Sequence, residues 1–185
     1  MFKYDLGGGL DLRVLEVRHA PLFLDHIIEN RAYLAESLDF PHRFQTLEDV
    51  QSYIKHALTR YIEDGLPMTG LWLDEQLVGG VLFFPVDWQI RSTEIGYWLA
   101  QRASGRGLMT RAAQAMLGFA FDTLKLNRIE LKADVSNTRS TTLAERLGFK
   151  LEGIARQGAI HAGKRVDLAS YSLLASEWTP LNRTE

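Results

Sequence analysis

Apolar residues recurring every three or four positions mark the helices of this chain. Val50, Tyr53, Ile54, Ala57, Leu58, Tyr61 and Ile62 share one helical face. Thr46, with Asp49 three positions on, caps that helix, and Gly65 and Pro67 end it. Met109, Ala112, Ala113, Met116, Leu117, Ala120, Phe121 and Leu124 form an unbroken apolar face and predict a second, stronger helix. Leu24, Ile27, Ile28 and Leu34 predict an earlier helix over 19–34, ended by Asp39-Phe40-Pro41 because a proline drives its predecessor out of the helical region. A short helix over 138–147 stops at Gly148.

Elsewhere the period falls to two. Ile129, Leu131, Ala133 and Val135 alternate with Glu130, Lys132 and Asp134, the signature of a half-buried strand. Strands are predicted at 10–17, at 70–73 and 77–84 around the polar turn Asp74-Glu75-Gln76, and at 93–99. Two more, 150–160 and 166–174, flank Ala162-Gly163-Lys164. The order β-α-α-β-β-β-α-β-α-β-β predicts an α+β fold, a mostly antiparallel mixed sheet of six to seven strands with helices packed on it. Its one parallel crossover, from 93–99 through a helix to 129–135, is expected to be right-handed.

Length and composition narrow the field. With 185 residues, one domain spanning 1–185 and one sizeable core are expected. The net charge of −2 gives no global attraction to nucleic acid or anionic membrane. No cysteine is present, which excludes disulfides, thiolate metal sites and a cysteine nucleophile and fits a reducing compartment. The N-terminus has no apolar signal core, and no uncharged run nears the roughly 18 residues needed to cross a bilayer, so a soluble cytoplasmic protein is expected. His19, His26, His42 and His56 show no metal-ligand spacing, and no metal is expected.

The chemistry concentrates between the strand at 93–99 and the helix after it, in Gln101-Arg102-Ala103-Ser104-Gly105-Arg106-Gly107. Two glycines let the backbone turn tightly and let a ligand approach it. A helix starting at once behind them offers free N–H groups and a positive dipole end to an anion such as a pyrophosphate. Arg102, Arg106 and Arg111 lie around the loop as possible phosphate partners. By itself the loop also fits a plain glycine turn with solvated arginines. A Walker loop is excluded because Gly107 is followed by Leu108-Met109 rather than Lys-Ser/Thr. The dinucleotide fingerprint comes closer but has Thr110 in place of its third glycine, and too little chain follows for a doubly wound sheet.

Three spaced motifs then carry a resemblance. Arg102-Ala103-Ser104-Gly105-Arg106-Gly107 resembles the acyl-CoA pyrophosphate loop of the GNAT acetyltransferases, (Arg/Gln)-x-x-Gly-x-(Gly/Ala). Glu94-Ile95-Gly96-Tyr97-Trp98-Leu99 resembles that family's splayed fourth strand. Asn137-x-x-Ser140 with Leu147-Gly148-Phe149-x-x-Glu152-Gly153 resembles its second cofactor element. The pattern is similar to the ribosomal-protein N-terminal acetyltransferases of RimJ/RimL type, in Asn30-Arg31-Ala32-Tyr33-Leu34 and Asp167-x-x-x-Tyr171-Ser172-Leu173-Leu174 as well. It covers about residues 8–178.

The resemblance implies an enzyme in which acetyl-CoA and an amine, expected to be a protein's N-terminal α-amino group, are bound together and react without a covalent enzyme intermediate. It implies cofactor contacts from Trp98, Leu99, Arg102, Gly105, Arg106, Gly107, Leu108, Met109, Thr110, Asn137 and Ser140. Backbone N–H groups near Trp98 and Leu99 are expected to face the thioester. Glu94 is the expected base, acting through water, and the alternative for it is an ordinary salt-bridged strand residue. Ala144 stands where many GNAT enzymes carry a tyrosine that protonates the leaving thiol, so Ser140 is the expected donor. The stretch Arg156 to His161 lacks the acid that RimL-like enzymes can carry there, and His161, able to titrate near neutrality, is a substitute base. Arg31, Tyr33, Phe40 and His161 are expected on the acceptor side. A small amine as acceptor, a non-catalytic acyl-CoA-binding module, and a homodimer of the chain are the other expectations the resemblance leaves open.

Overall fold

The computed structural model describes residues 3–161 and 163–180. One eight-stranded sheet runs through it, comprising β1 (Lys3–Gly7), β2 (Leu10–Val14), β3 (Thr69–Leu73), β4 (Gln76–Phe83), β5 (Ser92–Leu99), β6 (Arg128–Asp134), β7 (Lys150–His161) and β8 (Lys164–Leu174). The spatial order is β1-β2-β3-β4-β5-β6-β8-β7. Every neighbouring pair is antiparallel except β5 and β6. Four α-helices accompany it: α1 (Ala20–Ala35), α2 (Leu47–Asp64), α3 (Leu108–Gly118) and α4 (Thr138–Arg146). None of the described helices is long and apolar enough to cross a membrane.

The helices divide between the two faces. On one, α3 and α4 bury Met109, Ala112, Met116, Leu143 and Ala144 against Leu71, Val81, Ile95, Ile129 and Leu131. On the other, α1 and α2 bury Phe23, Ile27, Val50 and Ile54 against Met68, Trp72 and Trp98. The expected cap of α2 is present in full: the Asp49 N–H donates to Thr46 Oγ1 and the Thr46 N–H to Asp49 Oδ2, and Gly65 closes the helix at φ +75°.

Three elements depart from the pattern-based expectation. β1 is an additional strand, raising the count to eight; its residues are mostly exposed, so no apolar alternation betrays it, and the Gly7-Gly8-Gly9 turn folds it back on β2. β2 ends at Val14 instead of residue 17, because the Glu16 N–H bonds the His19 ring and starts a 3-10 turn. α3 widens into a π turn over Phe119–Thr123 before its expected end. Ala162, in the final hairpin turn, lies outside the described residues.

Candidate active site

Between β5 and β6 the sheet is open. The two strands pair in parallel only at Ser92, Thr93 and Glu94, and then diverge. β5 stays paired with β4 from Ile95 to Leu99. The Ala100 N–H bonds the Val78 carbonyl and the Phe84 N–H bonds the Glu94 carbonyl, so even-numbered residues of β5 turn their backbone groups to β4. Tyr97 and Leu99 consequently aim theirs into the gap. This moves the expected backbone donors. The Trp98 amide belongs to the β4 ladder, and the Leu99 and Tyr97 amides face the cleft.

Trp98 contributes its side chain instead. The indole lies across β4 at Gly80, where a Cβ would come within 2.2 Å of the ring and 2.4 Å of the Thr69 carbonyl oxygen, so only glycine fits. Phe23 and Phe40 meet the indole edge-on, with centroids 5.6 and 5.9 Å away. Its Nε1 is buried without a hydrogen-bond partner.

The loop after β5 delivers the chain to α3 through two left-handed glycines, Gly105 (φ +77°) and Gly107 (φ +72°). A Cβ at either would meet nothing within 4 Å. The first helical bond is made by the Arg111 N–H to the Gly107 carbonyl, which leaves the Leu108, Met109 and Thr110 amides directed out of the helix end. Arg102 and Arg106 are exposed beside the loop, Arg102 donating to Gln76 at 2.9 Å. Arg111 is withdrawn from it and bonds the Leu6 and Gly7 carbonyls of the β1–β2 turn. A bare glycine cradle at a helix N-terminus, opening on a gap between strands, fits a pyrophosphate with an extended amide-bearing arm.

A cavity of about 460 Å³ joins these parts, walled by β5, the loop, α3 and α4. Asn137 caps α4, its Oδ1 accepting the Ser140 N–H at 3.2 Å. Ser140 itself lines the cavity, as does Tyr97. The Tyr97 hydroxyl is buried with no hydrogen bond of normal geometry, and its interaction with the Ser140 side chain only partly offsets burial, which pushes the phenol up to about 12. Tyr33 closes the mouth: its hydroxyl lies 3.0 Å from Ser104 Oγ, accepts from Arg139 at 3.1 Å, and its ring carries the Arg139 guanidinium 5.4 Å from the centroid.

A second cavity, of about 340 Å³, adjoins the first on the α1–α2 side of the sheet, the two sharing Leu38, Tyr97 and Trp98. Aromatic side chains dominate its walls: Phe40 and Phe44 from the α1–α2 connection, Tyr53 from α2 and Phe84 past the end of β4.

The family model described as an acetyltransferase (GNAT) domain matches residues 10–150. The chain belongs to the GNAT acetyltransferase family. It is an acetyl-CoA-dependent N-acetyltransferase. It is 34% identical over 180 residues to the putative ribosomal N-acetyltransferase YdaF of Bacillus subtilis, covering 96% of this chain and 98% of that one. With the ribosomal-protein-serine acetyltransferase of Escherichia coli it shares 28% identity, over 80% and 83% of the two chains. A solved structure of RimL, a ribosomal L7/L12 alpha-N-protein acetyltransferase in complex with coenzyme A, superposes with a TM-score of 0.88 at 25% identity, covering 94% and 98%.

Within this GNAT framework the residues singled out in the sequence fall into three groups. Trp98, Leu99, Gly105, Gly107, Leu108, Met109, Thr110, Asn137 and Ser140 converge on the first cavity. Tyr33 joins that cavity and Phe40 the other. Glu94, Arg31, His161, Arg102 and Arg106 line neither. The Glu94 carboxylate is ion-paired with Lys132 at 2.8 Å. Arg31 donates to the Phe44 carbonyl at 2.6 Å and so braces the α1–α2 connection. His161, at the tip of β7, sets Nδ1 3.4 Å from Asp134 Oδ2 at the end of β6, within ion-pairing reach though off the line of a hydrogen bond. Burial works to raise the Asp134 pKa, but the Ser136 N–H and hydroxyl together with His161 hold it below the ordinary carboxylate value.

Apolar periodicity gives Tyr97, His56 and Arg60 no place in a cavity wall, yet the structure puts all three there. Tyr97 looks like a routine strand aromatic. His56 and Arg60 sit on the same helical stripe as Tyr53 and Ala57, and the spacing 53, 56, 57 and 60 is the sequence signal for them. Among the described residues no cluster of three or more potential metal ligands occurs.

Proposed function

We propose that this enzyme acetylates the N-terminal α-amino group of a protein, a ribosomal one, by direct transfer within a ternary complex. The observation that carries this reading is the meeting of two cavities at Tyr97 and Trp98, one built for an anion-bearing donor and the other apolar. Two substrates held at once on either side of one strand need no carrier on the enzyme, and the cysteine-free chain has no thiol to serve as one. The relatives named as ribosomal acetyltransferases support the choice of acceptor.

When bound, acetyl-CoA supplies an activated thioester. The Gly105–Gly107 loop and the Leu108, Met109 and Thr110 amides hold its pyrophosphate, with Asn137 on the arm that follows. The Leu99 and Tyr97 amides face the carbonyl oxygen as it gathers charge. The amine nitrogen bonds to the acetyl carbon, the carbon–sulfur bond breaks, one proton leaves nitrogen and one reaches sulfur. Ser140 donates that second proton, with the Tyr97 hydroxyl, kept protonated by burial, behind it. Glu94 is one assignment for the first: held by Lys132 outside both cavities, it reaches the amine only through water. A second assignment is favoured by the contact between His161 and Asp134: an ionised carboxylate there supports the imidazolium that forms when His161 accepts the proton.

The test is thiol release from acetyl-CoA with peptides bearing free N-termini. Gly105→Asp puts a side chain and a negative charge into the cradle, and we expect acetyl-CoA binding and turnover to be lost together. Ser140→Ala and Tyr97→Phe are expected to lower kcat by roughly 10²-fold while leaving the KM for acetyl-CoA within a few-fold. Unchanged kcat in both variants rejects the donor assignment. Glu94→Gln and His161→Gln distinguish the two bases by which one removes the acidic limb of the pH–rate profile. Tight acetyl-CoA binding with no turnover on any peptide or amine identifies a binding module instead.

A further inference from the structure

We infer that the second cavity makes this enzyme selective for N-termini carrying a bulky apolar side chain within their first two residues, followed by an acidic group. The inference rests on the proposed N-terminal acetyl transfer and names the class of acceptor. About 340 Å³ lies within the usual range of small-molecule sites, so a serine or alanine side chain alone would leave most of it unfilled. Phe40, Phe44, Tyr53 and Phe84 offer flat apolar walls to a side chain of aromatic size.

The charges around the cavity are one-sided. Arg43 and Arg60, with His56 beside them, line it against a single carboxylate, Asp39. Arg60 is fixed by donating from Nη2 to the Phe83 carbonyl at 2.7 Å, and its Nε is buried with no partner. An acceptor carboxylate is attracted by the Arg43 and Arg60 guanidiniums, whereas a polyamine or a lysine-rich terminus meets like charge. The apolar surface also continues outward. Phe84 is 44% exposed and Trp88 is 48% exposed, Trp88 being held to Asp64, one turn beyond Arg60, at 3.1 Å. A strip of that extent suits a polypeptide better than a free amine.

Octapeptides that carry Phe or Gly at position one or two, each followed by Asp-Asp or Lys-Lys, test this with the full-length protein at saturating acetyl-CoA. In at least one register kcat/KM is expected to be roughly tenfold or more higher with Phe than with Gly, and higher with Asp-Asp than with Lys-Lys. Arg43→Glu, an exposed change, is expected to erase or invert the acidic preference. Ala57→Phe, which fills the cavity, is expected to shrink the Phe/Gly ratio, and Arg43→Glu keeps the test valid if that variant fails to fold. Peptide turnover with Phe/Gly ratios within about twofold in both registers, or a preference for Lys-Lys, overturns the inference and leaves N-terminal acetylation standing. Turnover of no peptide overturns the underlying reading and this inference with it.

Discussion

Gly80 shows how little space separates the strand from the chemistry. The position exists to let the Trp98 indole lie flat across β4, and the indole in turn forms the wall common to both cavities. A methyl group there collides with a ring and with a backbone carbonyl, neither of which is a flexible end. Gly80→Ala is therefore expected to cost about 1–3 kcal/mol of stability, readable as a shift in the urea midpoint, and to impair turnover beyond that loss because Trp98 must move. Tyr97 illustrates the opposite case, a residue whose importance comes from where its hydroxyl ends up. Burial beside Ser140 keeps its phenol protonated, and no spacing in the sequence announces that.

At the level of elements, the chain was legible where a periodic face had to be buried. The capped stripe of α2, the face of α3 and the alternation in β6 all carried their own period, and each formed close to where that period placed it. β1 was invisible because its exposed residues need no pattern, and its pairing depends on a three-glycine turn. The loop before α3 was legible because glycine conformations are local. The second cavity was not, because its walls come from the α1–α2 connection, the far half of α2, and β4 and β5, brought together only by the sheet. The same gap hides the ion pair of Glu94. The sequence leaves Glu94 open between a base and a salt-bridged strand residue, and its partner Lys132 comes from a strand reached through a helix crossover.

For the whole molecule, the buried histidines set a pH dependence. Burial pushes the His26 imidazole down to about 4, and the Leu77 carbonyl, 3.2 Å from Nδ1, only partly offsets it. His19 is lowered too, first by burial and then by Arg18. In the unfolded chain both titrate near pH 6.5, so between that value and about 4 the unfolded state binds more protons than the folded one. Stability is full above about pH 7 and falls as the solution is acidified through this window, by up to roughly 3 kcal/mol for His26. The depressed carboxylates Asp11, Asp134 and Glu152 add losses of the same sign only at lower pH. Thermal melts at pH 7 and pH 5 are expected to differ, and His26→Leu to flatten the difference; an unaltered pH slope in that variant would remove His26 as its source.

The divergence of β5 from β6 has a consequence for the rhythm of amide hydrogen exchange. Along one strand, the Gly96 and Trp98 amides are tied to β4 while those of Tyr97 and Leu99 await a partner. Deuterium uptake in the ligand-free protein should therefore alternate residue by residue, slow then fast, over these four positions. Saturation with acetyl-CoA should slow the fast pair and erase the alternation. That outcome would make the nucleotide-bearing thioester a ninth strand, filling the gap between β5 and β6.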